Sequence, residues 1–204
     1  MNWPVMCLGL VVSVVLFVRC GPTTMQFPES INTPESEYAR AIHLLESGTL
    51  DKAETVLRRA IQLDGNYAPA YVGMSRLFFA RGDELKAIRY VHMARIRDVD
   101  YVPCWLMAGR LYAAAGQYEA AVNEYREAIS RDEKQLWAVE SYFGLARTLE
   151  KLNKLEKAHG AYMEIIALDP FHLEAREAVA RILKMLGPPF LMRLRFEKRD
   201  ILLP

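Results

Sequence analysis

Cysteine is almost missing from this chain, with three in 204 residues. Cys7 and Cys20 bracket an N-terminal apolar run and leave Cys104 alone in the body, so no disulfide framework can be drawn. Cys104 reads as a small buried hydrophobe near the start of a helix. Charge of one sign is equally scarce. Lys and Arg number 26 against 25 Asp and Glu, a net charge of +1, and nothing in that balance calls for a nucleic-acid partner. A weak basic bias is confined to Arg193, Arg195, Lys198 and Arg199. The four histidines, His43, His92, His159 and His172, lie far apart without metal-ligand spacing. Nucleophile elbow, Gly-rich phosphate loop and Cys-x-x-Cys are all lacking, and the carboxylate pairs sit at ordinary helix-surface spacing. No catalytic residue, metal ligand or cofactor site can be nominated, so the chain reads as non-enzymatic.

What is there begins with an address. Val5 to Val18 carries no charged side chain, a run of 14 residues. A secretory h-region needs ~7–15 apolar residues and a spanning helix ~20, so length favours a signal over a permanent span. The run delivers a Cys20-Gly21 pair, which resembles the bacterial lipoprotein signal and implies cleavage before Cys20 and its lipidation. Arg19 is not the small residue such a signal prefers, and Met1-Asn2-Trp3-Pro4 has no basic residue. Acylation of Cys20, an uncleaved anchor and ordinary secretion all stay open. Residues 1–20 are read as signal peptide or membrane anchor. Residues 21–34, with three prolines, are read as an extended linker.

A repeat governs the rest. Gly48, Gly82 and Gly116 recur at a step of 34, as do Ala53, Ala87 and Ala121, then Ala60, Ala94 and Ala128, and the aspartates Asp64, Asp98 and Asp132. Tyr71 and Trp105 share the step, and so do Phe78 and Tyr112. A fourth copy follows a three-residue insertion, with Tyr142, Leu145, Ala146, Ala158, Tyr162 and Asp169-Pro170. Each unit reads as helix, Gly turn, helix, with Asn153 serving where the fourth unit lacks Gly. A single hairpin cannot bury its apolar face, so the units must stack.

The third copy, Trp105-x-x-Ala108-Gly109-x-x-Tyr112 with Ala121, Tyr125 and Ala128, resembles the tetratricopeptide repeat. That resemblance spans residues 34–67, 68–101, 102–135 and 139–172, and residues 173–187 resemble a fifth first helix acting as a cap. It implies an all-α, right-handed solenoid of four helical hairpins plus a C-terminal capping helix, over a domain from 35 to 187. The first copy departs most: Glu37 stands where a large aromatic is expected, so the first hairpin should be the least stable.

The resemblance also implies a concave surface lined by the fifth and ninth positions of each first helix. Being four apart, those positions share one helix face. The fifth positions read Tyr38, Val72, Leu106, Phe143 and Glu177; the ninth read Ile42, Arg76, Arg110, Arg147 and Arg181. A row of arginines beside apolar side chains is therefore expected to hold a protein or peptide segment. The Lys/Asn pattern of the chaperone-binding members is not present. Arg181 has Glu177 four residues before it and Arg147 has Glu150 three after it, whereas Arg76 and Arg110 have no carboxylate on their own helices.

Residues 188–204 leave the repeat. Pro188 and Pro189 should stop the helix, and the alternation at Phe190, Met192, Leu194 and Phe196 has strand periodicity. The tail is expected to run extended along the stack, pair with a partner's sheet edge, or remain unstructured. Taken together, the sequence reads as a membrane-tethered interaction scaffold of the cell envelope, on the periplasmic or surface side. The alternative is a self-associating structural lipoprotein.

Overall fold

A computed structural model of the chain describes residues 32–200. Cys20, the N-terminal anchor and all but the last residues of the linker lie outside them. The described residues form nine helices and no strand, as the repeat requires. Four hairpins are made by α1 (Pro34–Glu46) with α2 (Leu50–Leu63), α3 (Ala68–Ala80) with α4 (Glu84–Arg97), α5 (Val102–Ala114) with α6 (Tyr118–Arg131), and α7 (Ala138–Lys151) with α8 (Leu155–Leu168). A ninth helix, α9 (Leu173–Asp200), packs on α8.

Local chemistry sets the ends. Thr33 and Ser36 form a reciprocal capping box at α1, with Pro34 in the first turn. At the intra-hairpin turns Gly48, Gly82 and Gly116 take φ of 73°, 77° and 74°, and Asn153 substitutes at 56°. That left-handed conformation is nearly free for Gly and next cheapest for Asn, which explains both the glycine spacing and its exception. Ala53, Ala87, Ala121 and Ala158 are fully buried, so the paired helices close on one another at these points.

The inter-hairpin loops are tied into a ladder. Asp64, Asp98 and Asp169 each accept the backbone N–H two residues on, and Asp132 accepts those of Leu136 and Trp137. Arg97 donates to the Gly65 carbonyl and lies 3.8 Å over the Tyr71 ring. Arg95 and Arg131 cover Trp105 at 3.8 and 4.5 Å, and Arg131 pairs with Asp100. The recurring aspartates thus close each loop on itself, while Arg97 and Arg131, lying over the recurring aromatics, fasten one loop to the next.

The tail differs from expectation. Gly187 takes φ of 72° and interrupts α9, yet the chain returns to helix through residue 200 instead of running extended. Proline is costly inside a helix but suited to its first turn, where no N–H is needed. Pro188 and Pro189 therefore stop one helical segment and start the next. Phe190 is buried and meets the His159 ring of α8 edge-on at 5.4 Å.

Candidate functional site

The first helices of successive hairpins pack directly, α1 on α3, α3 on α5 and α5 on α7. This closeness corrects the expected apolar row. Val72 and Leu106 are only 3% and 4% exposed, because the neighbouring helices close over the fifth positions and enlist them as core. Tyr38 and Phe143 stay half-buried.

The ninth-position arginines separate into three environments. Arg76 is half-buried and hydrogen-bonds Tyr38, which also hydrogen-bonds Tyr101. Burial raises the Tyr38 hydroxyl pKa despite those bonds, and it pushes Tyr101 far above the ordinary phenol range. Tyr38 meets Tyr67 edge-on at 6.0 Å, so Arg76 belongs to an aromatic cluster joining the first three hairpins. Arg181 does not settle on Glu177. Its guanidinium makes two hydrogen bonds, of 2.8 and 3.0 Å, to Glu150, which also accepts from the Tyr162 hydroxyl at 2.7 Å. A cross-helix carboxylate with two acceptor oxygens outcompetes the neighbour on the same helix. Glu150 is thereby withdrawn from Arg147.

Arg110 and Arg147 line a cleft of about 560 Å³ between α5 and α7, together with Tyr125, Glu140, Phe143 and Lys151. The Tyr125 ring lies deep at its base, where Gly109 and Gly144 leave room. A Cβ on Gly109 would come within 2.8 Å of that ring, and one on Gly144 would overlap it further. Burial raises the Tyr125 hydroxyl pKa, and the nearby charges of Arg110 and Arg147 pull it back. Arg147 sits 5.7 Å over Phe143 and has no carboxylate partner among the described residues. Arg110 reaches Glu140 across the cleft at 3.9 Å with both groups half-exposed, a weak pair. His172 completes the wall, 5.7 Å from Phe143, its Nδ1 held as acceptor of the Ala175 N–H.

Tyr38, Arg76 and Arg181 thus stand apart from the cleft, which gathers Arg110, Arg147 and Phe143. Tyr125, Lys151 and His172 were not foreseen. Lys151 could have been found, since it lies four residues after Arg147 on the same face of α7. Tyr125 belongs to a second helix, and only the glycines opposite reveal its depth. Among the described residues, no group of His, Cys, Asp or Glu is placed to hold a metal ion.

Comparison with known proteins agrees with this architecture. Residues 102–135 and 139–172 match the model of the tetratricopeptide repeat family. Over 84 residues, 41% of this chain, it is 30% identical to protein O-mannosyl-transferase TMTC2 of Homo sapiens. The chain spans about 10% of that relative's length. Among solved structures, that of pilF from Pseudomonas aeruginosa superposes with a TM-score of 0.69 at 17% identity, over 74% of this chain and 68% of that one. The first tetratricopeptide domain of Spaghetti (RPAP3), bound to the HSP90 peptide SRMEEVD, superposes with a TM-score of 0.55 at 18% identity, over 59% of this chain and 96% of that one.

Proposed function

For a chain that carries tetratricopeptide repeats at residues 102–135 and 139–172, we propose the role of a scaffold that receives a partner's polypeptide segment in the cleft between α5 and α7. The observation that carries this is the pairing of Arg147 and Lys151, neither with a carboxylate partner among the described residues, with the aromatic surface of Phe143 and Tyr125. Planar guanidinium donors suit carboxylates and carbonyls, and the rings give apolar side chains a dry seat. An extended segment bearing acidic residues fits that combination. The transferase activity of the mannosyl-transferase relative is not carried over, because the chain spans only about 10% of that relative's length.

The second part of the reading concerns location. The uncharged run from Val5 to Val18 and the Cys20-Gly21 pair support a membrane tether at the N-terminus, with Cys20 as the acylated first residue of the mature chain in the cell envelope. Mass spectrometry of the native protein tests it: a free Met1 or an unlipidated terminus would sink the acylated form. For the cleft, the test is a peptide array followed by titration of the best acidic binder. Replacing Arg110 and Arg147 by Ala should cost roughly 1.5–3 kcal/mol of binding per lost charge-assisted contact and leave the melting temperature unchanged. A melting temperature that falls while affinity holds would assign the arginines to the fold instead.

A further inference from the structure

Exposed apolar side chains are not spread evenly over the stack. Ile96 and Val99 flank the second inter-hairpin loop, Leu136 and Trp137 close the third, and Phe171 and Leu173 close the fourth. Phe171 is 87% exposed and Leu173 69%. Single exposed apolar residues are ordinary, but recurrence on successive loops is not. All these loops share one edge, because antiparallel hairpins send every second helix back to the end where the first began. The Arg97–Gly65 and Arg131–Asp100 contacts fasten neighbouring loops along it. Across the stack, at the turns of Gly48, Gly82, Gly116 and Asn153 and at the Gly187 break, Phe79, Leu85 and Met185 are exposed singly, without the loop-by-loop recurrence.

The apolar edge is also the one at which the domain is joined to what precedes it. Helix α1 begins there, at Pro34 behind the Thr33 cap. We propose that this inter-hairpin edge rests on a neutral lipid surface, with Phe171, Leu173 and Leu136 entering the interface. This rests on the reading of residues 1–20 as a membrane tether. A tether that enters the domain at that edge raises the local concentration of its exposed apolar residues at the bilayer, so they leave water at little further entropic cost. Among the described residues no helix is long and apolar enough to cross a membrane, so the contact is interfacial. The loop carboxylates decide the lipid class. Asp64, Asp98, Asp100, Asp132, Glu133 and Asp169 outnumber Arg97, Arg131 and Lys134 along these loops, and that net negative charge disfavours anionic headgroups.

The test uses the full chain and phosphatidylcholine vesicles. Phe171→Cys on the proposed edge and Leu85→Cys, 82% exposed beside the opposite turns, are exposed to an impermeant maleimide, and peptide mass spectrometry separates their labelling from that of the native cysteines. Both variants should float with the vesicles, and vesicles should slow labelling of F171C roughly tenfold while leaving L85C within about twofold. Flotation with unchanged F171C labelling overturns the edge contact and leaves the tether standing. Failure to float removes the tether and the inference with it. Protection of F171C without vesicles, growing with protein concentration, would assign the edge to a second copy of the chain and overturn the lipid contact.

Discussion

Glu37 should be replaceable by methionine with a gain in stability. The carboxylate is 2% exposed, at a position where the repeat elsewhere places Tyr71 and Trp105. Its partners are Arg40 at 2.7 Å and Arg59 at 3.5 Å, each about half-exposed. Arginines that wet contribute on the scale of surface pairs, ~0.2–1 kcal/mol each. Against them stands the cost of removing a carboxylate from water, several kcal/mol, and Oε2 has no well-aligned hydrogen bond to offset it. Methionine keeps the unbranched shape, and full burial of such a side chain is worth ~1.5–3 kcal/mol. The expected net gain is about 1–3 kcal/mol, because the two arginines left behind are already half in water and are not stranded as buried charges. In a stack whose units contact only their neighbours, that gain stays local. Hydrogen exchange of the α1 and α2 amides should therefore slow by about tenfold per 1.4 kcal/mol, with the later hairpins unchanged. The native first hairpin should exchange fastest of the four. Glu37→Met losing more than about 1 kcal/mol, or a native first hairpin that is the best protected, would refute the reasoning.

Two mid-helix glycines should respond with opposite sign: Gly144→Ala drives a methyl into the Tyr125 ring and should cost ~1–3 kcal/mol, whereas Gly160→Ala meets open space and should gain ~0.5–1 kcal/mol, both read by denaturant melts. Burial against Phe190 holds the His159 pKa below its usual 6.5. The unfolded chain then takes up the proton first, so this contribution to stability is complete above pH 6.5 and declines as pH falls from there toward the depressed folded pKa; a His159 NMR titration midpoint at or above 6.5 would contradict it. Arg76→Ala should lower the melting temperature and leave peptide affinity nearly unchanged, the reverse of the Arg110 and Arg147 pair, because Arg76 is spent on the Tyr38 cluster.

The parts of the fold that obey one-dimensional rules were legible in the sequence. Gly48, Gly82 and Gly116 mark turns because left-handed backbone penalises other residues, and the fully buried alanines mark helix contacts because nothing larger fits. What depends on how helices curve around one another was not legible. Val72 and Leu106 share a repeat position with Phe143, yet only packing between first helices decides which of the three remains reachable. Pairing by sequence offset failed for the same reason. Glu150 is three residues from Arg147 but is taken by Arg181, 31 residues away, one of whose guanidinium nitrogens bonds both carboxylate oxygens, a contact no helical offset encodes. In the tail, the alternation from Phe190 to Phe196 mimicked a strand because the fresh helix start at Pro188 and Pro189 was read only as a stop.

The cleft lies at the junction where the 34-residue step of the repeat is broken. The step of 34 holds through Asp132 and is broken by three extra residues before the fourth copy. Those residues are accommodated by Gln135 at φ of 54° and by Asp132, which accepts the N–H groups of Leu136 and Trp137 and so fixes where α7 starts. At the regular junctions the fifth-position side chains, Val72 and Leu106, are sealed into the core. At the irregular junction Phe143 stays half-buried, with Tyr125 beneath it and Arg110 and Arg147 on either side. In a close-packed solenoid a ring as large as Phe143 cannot be sealed in the space that takes Val72 or Leu106, so the junction that carries it keeps an aromatic surface within reach.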